Sequence, residues 1–290
     1  MPELPEVESL RALLARSVVG RVITKVEVRE PRLRRPVRPQ LAAALRDRTI
    51  RAIRRRAKYL LLDLGADVLL IHLGMSGSLT HRREPQGGGG VEPRSAGRLD
   101  SAVRLDPRHD HVKLMLDDSS ALVYNDPRRF GLIKLLPRAG LGAAEELKAL
   151  GPDALSDAFN AAYLAAKARH RRTAIKNLLM DQRVVAGLGN IYAAEALFRA
   201  GVRPGRRAAA LRRAEINRIV DATGALLREA IGAGGTSFRN YLDARGRPGR
   251  FAPRLMVYAR AGERCYVCST LIRSRVLGQR SSCYCPRCQR

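Results

Sequence analysis

Acidic side chains are scarce in this chain. Its 290 residues hold 27 Asp and Glu against 54 Lys and Arg, a formal net charge of +27. Such a surplus points to a polyanion, either nucleic acid or an anionic membrane surface. Long apolar runs are missing as well: none approaches the ~20 residues that a membrane span needs. The start, Met1-Pro2-Glu3, lacks the basic and apolar stretches of a secretory signal. A soluble, cytoplasmic protein with no membrane partner is therefore expected. Lysine is rare among the cations, seven residues in all, a skew that codon composition accounts for. The run Gly87-Gly88-Gly89-Gly90 is followed by no Lys-Ser/Thr pair, which excludes a phosphate-cradling loop.

The charge that is present is uneven. Residues 1–60 carry 16 basic and 6 acidic side chains, residues 201–290 carry 19 and 5, and the middle nets only +3. This reads as two surfaces facing one polyanion.

The length allows two domains, each with a core. Val7, Leu10, Leu13 and Leu14 recur at helical spacing over Glu6 to Ser17. Val22, Thr24, Val26 and Val28 alternate as in a half-buried strand. Apolar and β-branched segments at 51–64, 67–73, 111–116 and 121–136, broken by Gly, Pro and Asp, predict further strands. Strands with few helices between them suggest an antiparallel sandwich. The stretch 82–108 reads as a mobile surface insertion.

From about Leu141 the texture turns helical. Ser156-Asp157 offers an N-cap to a helix over 159–169, Thr173 precedes one over 174–180, and Asn190 precedes one over 191–200. Leu211 to Ile231 places Ile216, Ile219, Val220, Leu227, Ala230 and Ile231 on one face. The expected organisation is α+β and multidomain. An antiparallel β-sandwich with flanking helices covers 1–137, helices cover 138–252 with a Gly/Arg-rich loop at 234–251, and a cysteine-bearing hairpin covers 253–290.

Cys265, Cys268, Cys285 and Cys288 spell C-x2-C-x16-C-x2-C. Each C-x-x-C turn aims two thiolates at one ion, and two such turns a hairpin apart close a tetrahedral Zn2+ site. Four thiolates leave no open position, so the zinc is structural. Two disulfides would be the alternative, a poor one for an intracellular chain. Cys283 is left over, either a small buried side chain or a free thiol.

The first residues admit a chemical reading. A small second residue lets the initiator Met be removed, which makes Pro2 the N-terminus. An α-amino group with a pKa near ~7.7–8.0 is roughly a tenth or more unprotonated at neutral pH, far better than lysine at ~10.4. A secondary amine attacking an aldehyde-like carbon gives an iminium, an electron sink for elimination. Glu3 stands beside it as a possible general acid and Glu6 one turn away, although acidic residues in a first turn often only complement the helix dipole.

Met-Pro-Glu-Leu-Pro-Glu-Val-Glu (1–8) resembles the N-terminus of the bacterial formamidopyrimidine-DNA glycosylases. Further blocks resemble that family in order: Arg56-Ala57-Lys58-Tyr59-Leu60, His72-Leu73-Gly74-Met75-Ser76-Gly77 and Asp126-Pro127-Arg128-Arg129-Phe130-Gly131. Thr173-Ala174-Ile175-Lys176, Gly187-Leu188-Gly189-Asn190-Ile191-Tyr192 and the cysteine quartet complete the set. The similarity covers nearly the whole chain outside 82–108.

The resemblance implies a bifunctional base-excision-repair enzyme, a DNA glycosylase and AP lyase acting on oxidised purines or abasic sites in double-stranded DNA. Pro2 would attack C1′, Glu3 would protonate the opening sugar, Glu6 would support the site, and Lys58 would hold a phosphate. β- and δ-elimination would follow with no cofactor, Arg280 being the proton donor there and a DNA contact. The target base must leave the stack. Met75, Arg128 and Phe130 would fill the gap, since a thioether and a ring plug a stack and Arg donates to a base edge. Lys176 and Asn190 would contact phosphate in a helix–two-turn–helix motif, and the loop at 234–251 would cover the flipped base.

Departures are Arg35, where the family usually carries an aromatic, and Cys283, which replaces an aromatic near the zinc. The nearest alternative is an endonuclease VIII-like enzyme for oxidised pyrimidines. A lesion-binding protein that does not cut, or a zinc-ribbon module on an unrelated scaffold, would be of another class. A monomer is expected, because a search for single lesions imposes no two-fold symmetry.

Overall fold

The computed structural model describes residues 1–83, 105–237 and 241–290. Two compact units emerge. The first comprises Met1–Pro2, Glu6–Ala144 and Ala233–Arg250; the second comprises Glu3–Pro5, Glu145–Gly232 and Phe251–Arg290.

The first unit is an antiparallel sandwich. One sheet orders β1 (Ile23–Val28), β6 (Asp110–Leu116), β7 (Ser120–Asn125) and β5 (Ser78–Arg83). The other orders β2 (Ala52–Arg56), β3 (Tyr59–Asp63), β4 (Asp67–His72) and β8 (Leu132–Pro137). Alternation aims Ile23, Val112, Leu114 and Leu122 of one sheet and Leu60, Leu62, Leu69 and Ile71 of the other into a single apolar cluster. Val7, Leu10, Leu14 and Val18 of α1 (Leu4–Val18) join it at helical spacing. A short helix, α2 (Leu41–Leu45), adds Leu41 and Leu45.

Two apolar segments each divide into two strands. The segment 51–64 turns back at Ala57–Lys58, with Arg56 paired to Tyr59. The segment 121–136 gives β7 to one sheet and β8 to the other, with Pro127 in the crossover. The ends of the surface insertion expected at 82–108 are ordered structure instead. Arg82 and Arg83 belong to β5, Arg82 forms an ion pair with Asp110 at 2.8 Å, and Pro107–His109 is a 3-10 turn. Residues 84–104 lie outside the described residues.

The second unit is helical with a terminal hairpin: α3 (Ala161–Ala168), α4 (Ile175–Met180), α5 (Asn190–Arg199), α6 (Arg213–Gly232), then β9 (Arg273–Leu277) and β10 (Arg280–Tyr284). The N-cap of α3 is Asn160, whose Oδ1 accepts from Tyr163 N–H at 2.9 Å, and not Ser156 or Asp157. Asn160 is extended (φ −118°, ψ 175°), the backbone an N-cap needs. Along α6 the buried face runs through Ile216, Ile219, Thr223, Leu226, Leu227 and Ala230, whereas Val220 and Ile231 lie at its margin. Among the described residues no helix is long and apolar enough to cross a membrane.

Candidate active site

The residues singled out in the sequence fall in both units. Pro2, Glu6, Lys58, Met75, Arg128 and Phe130 belong to the first, and Glu3, Lys176, Asn190, Arg280 and the four cysteines to the second.

In the first unit Pro2 and Glu6 are buried. A Glu6 carboxylate oxygen accepts from Thr236 N–H at 2.7 Å, and the Tyr241 hydroxyl donates to the Glu6 carbonyl at 3.0 Å. Ser237 Oγ accepts from Gly249 N–H and donates to the Tyr241 carbonyl. Both ends of the loop at 234–251 are thereby fastened next to α1; residues 238–240 lie outside the described residues. Burial, then the Glu6 charge, pushes the Tyr241 hydroxyl well above its ordinary value.

Lys58 sits on the two-residue turn between β2 and β3 and is buried. Ala57 takes φ +53°, a left-handed conformation that costs an L-residue about 1–2 kcal/mol. Arg55 holds the turn, donating to the Ala57 carbonyl at 3.0 Å while pairing with Glu8 at 2.8 Å. Beside it, His72 is pushed down to about 4 by burial and then by Lys58 and Arg34. A neutral imidazole is what the geometry requires, because His72 Nδ1 accepts from Gly74 N–H at 3.0 Å.

That bond shapes the turn carrying Met75, which is half-buried. Gly74 takes φ +62°, and a Cβ there would lie 2.5 Å from the Phe130 carbonyl carbon, so only glycine lets the two loops close up. Arg128 and Phe130 are exposed, Phe130 by 45%, with the guanidinium 4.6 Å from the ring centroid.

In the second unit Glu3 is buried and caps α5. Its carboxylate accepts from Ile191 N–H at 3.0 Å and Tyr192 N–H at 3.4 Å, and Leu4 N–H donates to the Gly187 carbonyl. The sequence places Asn190 as the N-cap, ahead of the amides of the first turn. The structure instead makes Gly189 the N-cap, without a side-chain bond, and gives two of those amides to Glu3. A Cβ on Gly189 would collide with the Glu3 carboxylate.

Asn190, the first helical residue, accepts from Lys176 Nζ at 2.5 Å. Lys176 is fully buried and also donates to Ser282 Oγ at 2.6 Å and the Ser281 carbonyl at 3.1 Å. Burial brings its ammonium down to about 8. With three acceptors around it and no exposed surface, Lys176 ties α4, α5 and β10 together and points inward. Arg280 is exposed at the start of β10, after a turn in which Gly278 and Gln279 both take positive φ.

All five cysteines are unbonded thiols. The four ligand candidates hold their sulfurs within 4.8 Å of one another, with Cys265–Cys288 at 3.9 Å and Cys268–Cys285 at 3.4 Å. Tetrahedral Zn–S bonds of ~2.3 Å place sulfurs about 3.8 Å apart. The donor set fits one structural Zn2+. Cys283 is buried in the apolar cluster behind it with Ala194, Phe198, Val257 and Ile272.

Three supporting side chains went unnoticed in the sequence. Glu195, fully buried, accepts from the N–H groups of Met256, Val257 and Tyr258. His72 and Asp126 stood in quoted motifs but without a role. A carboxylate inside an apolar helix signals the first; no spacing rule signals the others.

Three family models match the chain: the formamidopyrimidine-DNA glycosylase N-terminal domain over residues 1–133, the formamidopyrimidine-DNA glycosylase H2TH domain over 150–241, and the zinc finger found in FPG and IleRS over 262–290. A formamidopyrimidine-DNA glycosylase of Thiobacillus denitrificans is 48% identical over 290 residues, all of both chains, and one of Edwardsiella ictaluri is 46% identical over the same span. Among solved structures, a Lactococcus lactis FPG mutant in complex with Fapy-dG containing DNA superposes with a TM-score of 0.86, at 32% identity and 100% coverage of both chains. The MutM (FPG) protein of Thermus thermophilus gives 0.83 at 35% identity, covering 99% of this chain and 98% of that one. The chain belongs to the formamidopyrimidine-DNA glycosylase family. These are bacterial base-excision-repair enzymes, DNA glycosylases that also carry AP lyase activity.

Proposed function

We propose that this chain excises oxidised purines, 8-oxoguanine and formamidopyrimidines, from double-stranded DNA and then cuts the strand at the abasic site. The observation that carries the reading is full-length identity of 48% to a formamidopyrimidine-DNA glycosylase, on a chain that buries Pro2, Glu3 and Lys58. Lactococcus lactis FPG complexes with Fapy-dG and abasic-site DNA support the substrate class.

With Met1 removed, the lone pair of the Pro2 nitrogen attacks C1′ and the base departs with the electrons of the glycosidic bond. The proton that the Pro2 nitrogen sheds passes through the Glu3 carboxylate to the ring oxygen as the C1′–O4′ bond breaks, leaving an iminium between that nitrogen and C1′, and water protonates the departed base. Loss of the C2′ proton then expels the 3′ phosphate, and a second elimination expels the 5′ phosphate, with Arg280 as proton donor. The product is a one-nucleotide gap.

Lys58, Asn190 and Arg280 hold phosphates, Met75, Arg128 and Phe130 fill the vacated stack, and the loop at 234–251 covers the flipped base. Glu6 supports the site by anchoring that loop through Thr236. Lys176 serves the same phosphate site through Asn190, a reading supported by its burial and its bond to the Asn190 side chain. The functional division is 1–137 for catalysis, 138–252 for the helical DNA-binding domain and 253–290 for the zinc finger. The enzyme works as a monomer in the cytoplasm, on the DNA of the nucleoid.

Borohydride trapping on a duplex with one 8-oxoguanine opposite cytosine, read by intact mass and peptide mapping, tests this. An adduct on Pro2 is expected. No adduct on a protein confirmed to lack Met1 would overturn the purine reading. Oxidised-pyrimidine duplexes belong in the same assay, since wild-type Lactococcus lactis FPG has been captured with DNA containing an oxidised pyrimidine.

A further inference from the structure

We infer that Asp126 is the positioning residue that sets the void-filling side chains as one rigid plug, acting through Ser76 on one loop and through Arg128 and Gly131 on the other. The inference rests on the proposed reading of Met75, Arg128 and Phe130 as that plug.

Asp126 is fully buried, and each of its carboxylate oxygens serves two donors. Oδ1 accepts from Ser76 Oγ at 2.7 Å and from Arg128 N–H at 3.3 Å. Oδ2 accepts from Gly131 N–H at 2.9 Å and from the Tyr124 hydroxyl at 3.1 Å. Its backbone is held too: Asp126 N–H donates to the His109 carbonyl at 3.0 Å, and its own carbonyl accepts from His111 Nε2 at 2.8 Å. One carboxylate thus spans from the residue after Met75 to both sides of Phe130.

The loops need such a device. Arg129 is left-handed at φ +56°, a strained position that surrounding bonds must maintain. Phe130 is 45% exposed and Met75 half-buried, so their aim depends on what holds their loops from behind. Four donors offset the desolvation of the buried carboxylate and fix its direction, whereas an apolar residue there would leave two amides unpaired. Asn at 126 turns one acceptor into a donor. Whichever way the amide faces, its NH2 meets a backbone N–H, of Arg128 or of Gly131, that cannot accept.

Asp126→Asn and the milder Ser76→Ala are compared with the unaltered protein in two assays. The first is single-turnover release of 8-oxoguanine opposite cytosine in duplex DNA. The second is cleavage of a preformed abasic site in single-stranded DNA, which has no orphaned partner and no gap to fill. A misplacement of about 1 Å can cost on the order of 100-fold. Duplex excision is expected to fall about 100-fold in Asp126→Asn and about tenfold in Ser76→Ala, with single-strand cleavage within about twofold in both. Equal losses in the two assays would mean general destabilisation, and no loss in Ser76→Ala would mean that the link to the Met75 loop is idle; either overturns the inference. If Asp126→Asn fails to fold, Ser76→Ala, which deletes one hydrogen bond, decides alone. Failure of the unaltered protein in both assays would instead overturn the proposed function.

Discussion

The sandwich of the first unit and the zinc hairpin of the second become ordered by different means. Both sheets of the sandwich and α1 bury leucine, isoleucine and valine in one continuous cluster. The hairpin buries little of its own: β9 is exposed along nearly its whole length, and only Cys265, Ile272, Cys283 and Cys285 join Ala194, Phe198 and Val257 behind it. Apolar area stabilises the first whatever ions are present. A metal site contributes folding free energy outright, about 10–16 kcal/mol for structural zinc. A fold that positions chemistry can rest on a core, while a projecting two-stranded element too small for a core needs a metal.

Removing the metal should separate the two most sharply. Cys285→Ser is expected to abolish duplex binding, a loss of at least about 100-fold by fluorescence anisotropy, while the β-sheet circular dichroism of the sandwich persists. Retained affinity would mean that the hairpin does not touch DNA. Next in size, Leu62→Ala in the sandwich core should cost about 2–5 kcal/mol in denaturant unfolding. Zinc content, measured by a colorimetric chelator, should stay at one ion per chain.

Acid and base should act on different halves. His72 is depressed from 6.5 to about 4, so the unfolded chain binds the extra proton in that interval. Its contribution is complete above pH 6.5 and is lost as pH falls toward 4. His72→Gln is expected to flatten that acid limb in thermal unfolding. Lys176 is depressed from 10.5 to about 8, and again the unfolded chain holds the proton in the window. Stability should therefore rise from pH 8 to 10.5, and Lys176→Met should remove the slope. The smallest effect concerns Arg280. Replacing it with Ala should reduce the salt slope of log K by about 0.9, one phosphate's share. An unchanged slope would take Arg280 off the phosphate path.

The same contrast explains what could be read in advance. The cysteine spacing and the alternation of Val22 to Val28 are local rules: the metal cluster follows from the first and the strand β1 from the second, although its facing changes at the register shift between Ile23 and Lys25, where Ile23 is buried and Thr24 exposed. The Ala121–Leu136 segment is apolar at both ends and broken by Asp126-Pro127-Arg128-Arg129, and nothing local says that its halves go to different sheets. Caps were harder. Asn160 and Ser156 are chemically equal candidates, and backbone direction, set by packing, chose between them. Glu3 as the cap of α5 joins positions 188 residues apart, a distance that no pattern rule covers. Lys176 looks like any surface cation, and only the β10 segment folding over it makes it buried.

The Glu3 cap has a consequence for synthesis. A ribosome adding roughly 5–20 residues per second makes Glu3 roughly 10–40 seconds before the amides of Ile191 and Tyr192 exist. Until then that acidic side chain has no helix to close, and afterwards the helix start has no other side-chain cap of its own. A polypeptide begun at Glu145 would carry every residue of α5 and still lack the carboxylate that completes it. The earliest-made residues are thus a finishing piece of the later half.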